Sequence, residues 1–156
     1  MKILLANKFY YRRGGDCIYT LNLELLLREY GHEVAIFSMD YPDNLETPWR
    51  KYFPSEVKFK PGLGMLEAFL RPLGTNEVKR KFCALLDEFK PDVVHLNNIH
   101  TQLSPIIAEL AHERGIKVVW TLHDLKLPCF FYIYKITECT HFCFIKASLY
   151  HLIRYK

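Results

Sequence analysis

Short apolar runs with strand character alternate with stretches of helical period along most of the chain. Residues 2–7 form the first run. Ile18, Leu21, Leu25 and Leu26 then recur with helical spacing until Gly31 supplies a left-handed stop, which predicts a helix opening at Asp16 with that face towards the core. Residues 33–38 read as a second strand. Val78, Phe82, Leu85, Leu86 and Phe89 mark one face of a further helix, entered at Thr75 and Asn76 and closed by Pro91, and residues 92–97 follow as a strand. Ser104 as N-cap with Pro105 at the first helical position opens a helix carrying Ile106, Ile107, Leu110 and Ala111. Gly115 ends it, and residues 116–122 make the next strand.

This alternation predicts an α/β fold, a Rossmann-like open parallel sheet with helices on both faces. Residues 41–74 are irregular and hold five of the eight prolines (Pro42, Pro48, Pro54, Pro61 and Pro72), with only residues 56–59 resembling a short strand. Counting that weak piece as the third strand, the expected order is 3-2-1-4-5 with right-handed crossovers.

Composition narrows the class. The chain has 156 residues, of which 50% are hydrophobic and 24% charged, the profile of one globular domain over residues 1–156. A chain this long buries roughly 70% of its unfolded surface and needs no staples. Cys17, Cys83, Cys129, Cys139 and Cys143 form an odd set, for which reduced thiols are the expectation. The 21 basic against 17 acidic residues, net +4, are scattered and make no basic stripe, so nucleic acid is not an expected partner. The longest apolar stretch, residues 127–134, is less than half of the ~20 residues that span a bilayer, and no leader pattern opens the chain. A cytoplasmic location follows as the expectation. Residues 49–53 and 63–71 mix bulky apolar with basic side chains, the composition of a peripheral contact at the inner face of the cell membrane, and the second stretch is equally a small helix covering the sheet.

In open parallel sheets ligands sit beyond the carboxyl ends of the strands. There the chain carries Arg12, Arg13, Gly14 and Gly15 after the first strand, Asn97, Asn98, Ile99 and His100 after the strand over 92–97, and His123 with Asp124 after the last. Paired glycines permit a close backbone approach, and the following helix N-terminus attracts phosphate, with Lys8, Arg12 and Arg13 adding positive charge. A plain connecting turn with Asp16 as helix cap accounts for the same residues. The G-x-G-x-x-G dinucleotide fingerprint and the Gly-Lys-Ser/Thr of a P-loop are both absent. His123 beside Asp124 suits an imidazole oriented by a carboxylate or one that contacts a substrate hydroxyl, and a structural histidine suits the position as well. His100 is a site candidate, whereas His95, inside its strand, reads as a hydrogen-bonded core histidine. Cys129, Cys139, His141 and Cys143 match no standard zinc knuckle, and no metal is expected.

The order and spacing of these pieces resemble the N-terminal half of a family 4 glycosyltransferase, the retaining group built on the two-domain GT-B fold, from residue 1 to about residue 130. The carrying residues are Gly14 and Gly15; Gly31, His32, Glu33 and Val34; Lys90, Pro91, Asp92, Val93, Val94 and His95 leading to Asn97 and His100; and Gly115, Ile116, Lys117, Val118 and Val119 running into Thr121, Leu122, His123 and Asp124. The resemblance implies one half of a GT-B architecture, the acceptor-side domain. It implies that the backbone of Gly14 and Gly15 approaches the donor diphosphate. His123 would lie beside the transferred sugar and assist catalysis, while the donor's own phosphate receives the acceptor proton in a front-face transfer. Arg13, Asn97, His100 and Asp124 are the expected substrate contacts.

The implied partners are a nucleotide sugar, which is a substrate rather than a cofactor, and a cell-envelope saccharide or lipid-linked acceptor. The family's donor site, with paired glutamates, lies in a second Rossmann-like domain that these residues do not contain, so inactivity of the chain alone is expected. The competing class is a non-catalytic Rossmann-like module that binds a nucleotide or a protein. A receiver-like domain would want acidic residues where Asn7 and Lys8 stand. Residues 125–156 are rich in Leu, Phe, Tyr and Ile yet complete no further strand and helix, which predicts a shortened chain and self-association into a homo-oligomer through that segment.

Overall fold

A computed structural model describes residues 1–56, 75–100 and 102–123. Met1–Thr121 make one compact unit, and Leu122–Lys156 make a second, to which Leu122 and His123 belong. In the first unit four parallel strands, β1 (Lys2–Ala6), β2 (Glu33–Phe37), β3 (Val93–Leu96) and β4 (Lys117–Trp120), form one sheet in the order β2-β1-β3-β4. Each lies inside the apolar run that predicts it, and their relative order is the expected one. Val57 and Phe59, the anchors of the expected further strand, lie outside the described residues. Beside β2, Asp40 and Ser55 form a single parallel bridge.

Helices cover both faces of the sheet. The side chains of β1 and β2 alternate, so Ile3, Leu5, Val34 and Ile36 share one face, where Leu21 of α1 (Gly15–Glu29) and partly buried Leu23 and Leu27 complete a cluster. On the opposite face Phe37 meets Phe82 of α2 (Asn76–Phe89) edge-on, with ring centroids 5.0 Å apart. Both rings are fully buried, a contribution of about 1.5–3 kcal/mol each. The third helix, α3 (Ile106–Glu113), packs against α2, β3 and β4. A 3-10 turn, Pro48–Tyr52, lies against β2 and α2; Trp49 stacks edge-on with Phe89 at 5.1 Å, and the following Phe53 is buried. Residues 63–71 lie outside the described residues. Among the described residues no helix is long and apolar enough to cross a membrane.

Local signals set the helix ends. The Thr75 hydroxyl accepts from Val78 N, Gly31 and Gly115 take φ values of 77° and 71°, and Lys90 closes α2 in the left-handed region. Two expectations need correction. Asp16 does not cap α1: Gly14 is the N-cap residue and Asp16 lies in the first turn. Nor do Ile18, Leu25 and Leu26 face the core; they are exposed, and the buried stripe is Cys17, Thr20, Leu21 and Glu24. Apolar residues lie all around this helix, so periodicity alone could not choose a face. The polar members are buried because each has partners: the Thr20 hydroxyl donates to the Asp16 carbonyl, and Glu24 accepts from Tyr10 and Arg28. At α3 the regular helix begins one residue later than expected, with Ser104 at φ 69° and its hydroxyl accepting from Ile106 N.

Candidate functional site

The connection from β1 to β2 runs through α1 to one side, whereas the chain returns to β3 on the other side of β1. The junction of β1 and β3 is therefore the topological switch point, the place where open parallel sheets take their ligands. Gly14 and Gly15 follow β1 there, and His100 follows β3.

Asparagines at the two strand ends organise this junction. Asn7 is buried; its side-chain oxygen accepts from Asn98 N at 3.1 Å, and its amide donates to the Phe9 carbonyl at 2.9 Å and to Cys17 Sγ at 3.8 Å. Lys8 N in turn donates to the Asn98 carbonyl at 3.0 Å. Asn98 Nδ2 then reaches the first turn of α1, donating to Asp16 Oδ2 at 2.9 Å. The Asp16 carboxylate stands at the positive end of α1, favourable for the helix, and also accepts from the Cys17 thiol at 3.5 Å. Burial, with Asp16 beside it, pushes the Cys17 thiol pKa up and keeps it protonated.

The loop between β1 and α1 is tied from further sides. The Ser38 hydroxyl donates to the Lys8 carbonyl, Tyr10 N donates to Asn44 Oδ1, and the Tyr10 hydroxyl donates to Glu24 Oε2 at 2.9 Å. Arg28 holds the other Glu24 oxygen through two nitrogens and also donates to the Val34 carbonyl. Burial, then the Glu24 charge, drives the Tyr10 pKa far above the ordinary phenol value.

The expected site residues fall in different settings. Gly14 has extended backbone (φ −147°), and a Cβ on it would meet Asp16 Oδ1 at 3.3 Å. A Cβ on Gly15 would meet nothing within 4 Å. Arg13 is exposed, its guanidinium 4.2 Å from the Phe9 ring centroid. Asn97 is buried, and its carbonyl accepts from Trp120 Nε1 at 3.1 Å. His100 is partly buried. His123 is exposed, and Asp124 lies outside the described residues. His95 shares a 2.8 Å hydrogen bond with Thr121 Oγ1. Among the described residues no cluster of His, Cys, Asp or Glu could hold a metal ion. Asn7, Asn98 and Asp16 carry the local organisation without having been singled out for it from sequence; their signal is an asparagine closing each of two strands that prove to be neighbours.

With this geometry the family assignment follows. Residues 13–151 match the model of Glycosyltransferase Family 4. The chain belongs to that family. No curated protein gives a significant match. The matched span includes Arg13, the two glycines, Asn97, His100 and His123, and the family match together with the Rossmann-like sheet supports a glycosyltransferase-related domain.

Proposed function

We propose that this family 4 domain is the acceptor-side half of a retaining GT-B glycosyltransferase. It receives a sugar from a nucleotide-sugar donor onto a cell-envelope saccharide or a lipid-linked acceptor, as the family resemblance implies. In this reading Gly14 and Gly15 present their backbone to the donor diphosphate. His123 lies beside the transferred sugar, and Arg13, Asn97, His100 and Asp124 contact substrate. The donor's phosphate takes the acceptor proton, and the nucleotide pocket belongs to a second Rossmann-like domain. The protein works in the cytoplasm, with peripheral contact at the inner face of the membrane where a lipid-linked acceptor resides.

The observation that supports this reading is the pair of glycines. Neither has a positive φ, and at Gly15 a Cβ would point into open space, so the fold itself does not require glycine there. Ligand backbone contact explains the residue type where conformation and packing do not. The test is calorimetric titration of UDP, GDP and ADP into the chain and its Gly14→Ala/Gly15→Ala variant. One nucleotide binding with at least tenfold loss in the variant supports the reading. Equal binding by both proteins, or tighter binding by the variant, refutes it.

A further inference from the structure

Aromatic side chains that follow β1 and β2 meet at the same sheet edge. The Phe9 centroid lies 5.5 Å from that of Tyr11 and 4.9 Å from that of Tyr41, and the Tyr11 and Tyr41 centroids are 6.3 Å apart. Phe9 is buried, whereas Tyr11 and Tyr41 keep part of their surface exposed. Tyr41 is held at both ends: its hydroxyl donates to Gln102 Oε1 at 2.7 Å, and its carbonyl accepts from Arg50 Nη2 at 3.1 Å. Burial and the nearby Glu56 charge raise the Tyr41 pKa, so the ring stays neutral at physiological pH.

Cations crowd this cluster. The Lys8 ammonium lies 4.7 Å and the Arg13 guanidinium 4.2 Å from the same Phe9 centroid, which puts like charges within about a Debye length (~8 Å) of each other. Arg12 immediately precedes Arg13 in sequence and is exposed. Elsewhere in the sheet unit Arg28, Arg50 and Arg114 are each paired with a carboxylate, of Glu24, Asp40 and Asp87. Among the described residues no carboxylate pairs with Arg12 or Arg13. Arg13 therefore lies on an aromatic ring of this cluster with its charge not neutralised by a carboxylate of the described residues.

We propose that Tyr11, Tyr41, Arg12 and Arg13 form an acceptor subsite for a saccharide that carries a carboxylate or phosphate group. The apolar C–H face of a sugar ring packs on the tyrosines, and a guanidinium fork takes two oxygens of the anion. The Tyr41 ring, already held by Gln102 through its hydroxyl, loses little freedom on binding. The assignment rests on the glycosyltransferase reading, because only that reading makes the ligand of this edge a saccharide.

The full chain is titrated separately with trigalacturonic acid, glucose 6-phosphate, cellotriose and UDP, following backbone and tyrosine-ring NMR shifts. At least one anionic saccharide is expected to saturate the protein and shift the Tyr11 and Tyr41 rings, with cellotriose at least tenfold weaker. Arg12→Ala/Arg13→Ala and, separately, Tyr11→Leu are each expected to weaken the anionic saccharide at least tenfold, while the spectrum stays that of the folded protein. Binding by trigalacturonic acid alone assigns a sugar acid, and by glucose 6-phosphate alone a sugar phosphate. Cellotriose binding as tightly as the acids, unchanged affinity in either variant, or no binding of either anionic saccharide overturns the proposal. UDP separates the two readings: if it binds while both anionic saccharides fail, the subsite falls and the donor-side reading stands. If only the anionic saccharides bind, the subsite stands and the nucleotide is held by the second domain.

Discussion

Asn98 Nδ2 donates to Asp16 Oδ2 across 2.9 Å, joining the loop after β3 to the first turn of α1 over 82 residues of sequence. Removing this donor with Asn98→Ala leaves a charged acceptor without one partner, an expected cost of about 1–2 kcal/mol. Urea unfolding followed by circular dichroism measures it, and a cost below a few tenths would mean water replaces the amide without loss. The Asp16 carboxylate also puts a negative charge beside Gly14. If a nucleotide diphosphate binds there, Asp16→Asn should tighten it severalfold while weakening the helix by about 0.3–1 kcal/mol. Looser binding in that variant would place the phosphate elsewhere.

Tyr10→Phe should cost about 1–3 kcal/mol, since Glu24 is only 7% exposed and would keep Arg28 but lose the phenol donor. The pH profile gives a second readout. Because the folded Tyr10 holds its proton far above the ordinary phenol value, the folded state binds more protons than the unfolded chain once pH exceeds about 10. Stability therefore falls as pH rises through that range. Urea midpoints between pH 9 and 11 should fall less steeply for Tyr10→Phe, and parallel slopes for the two proteins would count against the buried phenol.

At acid pH Glu77 should contribute with the opposite slope. Burial alone would raise its pKa, but the Ser55 amide at 3.1 Å, the Ser55 hydroxyl at 2.8 Å and Lys81 at 3.2 Å together bring it below the ordinary carboxylate value. With the folded pKa depressed, this stabilisation is present above the unfolded value of about 4.3 and is lost as pH falls through the folded one. Glu77→Gln should therefore be destabilised at pH 7 and flatter below pH 5. Identical acid profiles for variant and parent would remove Glu77 from the account.

Two glycines should respond oppositely to alanine. Gly31 sits at φ 77°, so Gly31→Ala should cost about 1–2 kcal/mol in left-handed backbone. Gly15→Ala has no such strain and open space for its Cβ, and should stabilise α1 by about 0.4–1 kcal/mol through the unfolded chain. Thermal unfolding of both variants decides this. A destabilised Gly15→Ala would mean the glycine serves the fold after all, and would weaken its assignment to ligand contact.

Chain-local physics was legible in the sequence. The four strands are runs whose side chains suit a sheet covered on both faces, and Thr75, Gly31 and Gly115 mark helix ends because capping and left-handed backbone depend on the residue and its immediate neighbours. Their order in the sheet followed from the alternation of strand and helix. The inward face of α1 did not: Ile18, Leu25 and Leu26 look like core by spacing, yet Thr20 and Glu24 take the buried positions because Tyr10 and Arg28 can satisfy the carboxylate. The local organisation of the site was equally hidden. Asn7 and Asn98 meet only because β1 and β3 are neighbours, and Phe9 and Tyr41 meet only because β1 and β2 end at one edge. A sequence records which residue follows which, so it carries caps and periods. Which polar groups meet depends on strand adjacency, and that is decided only when the strands assemble and both faces of the sheet are covered.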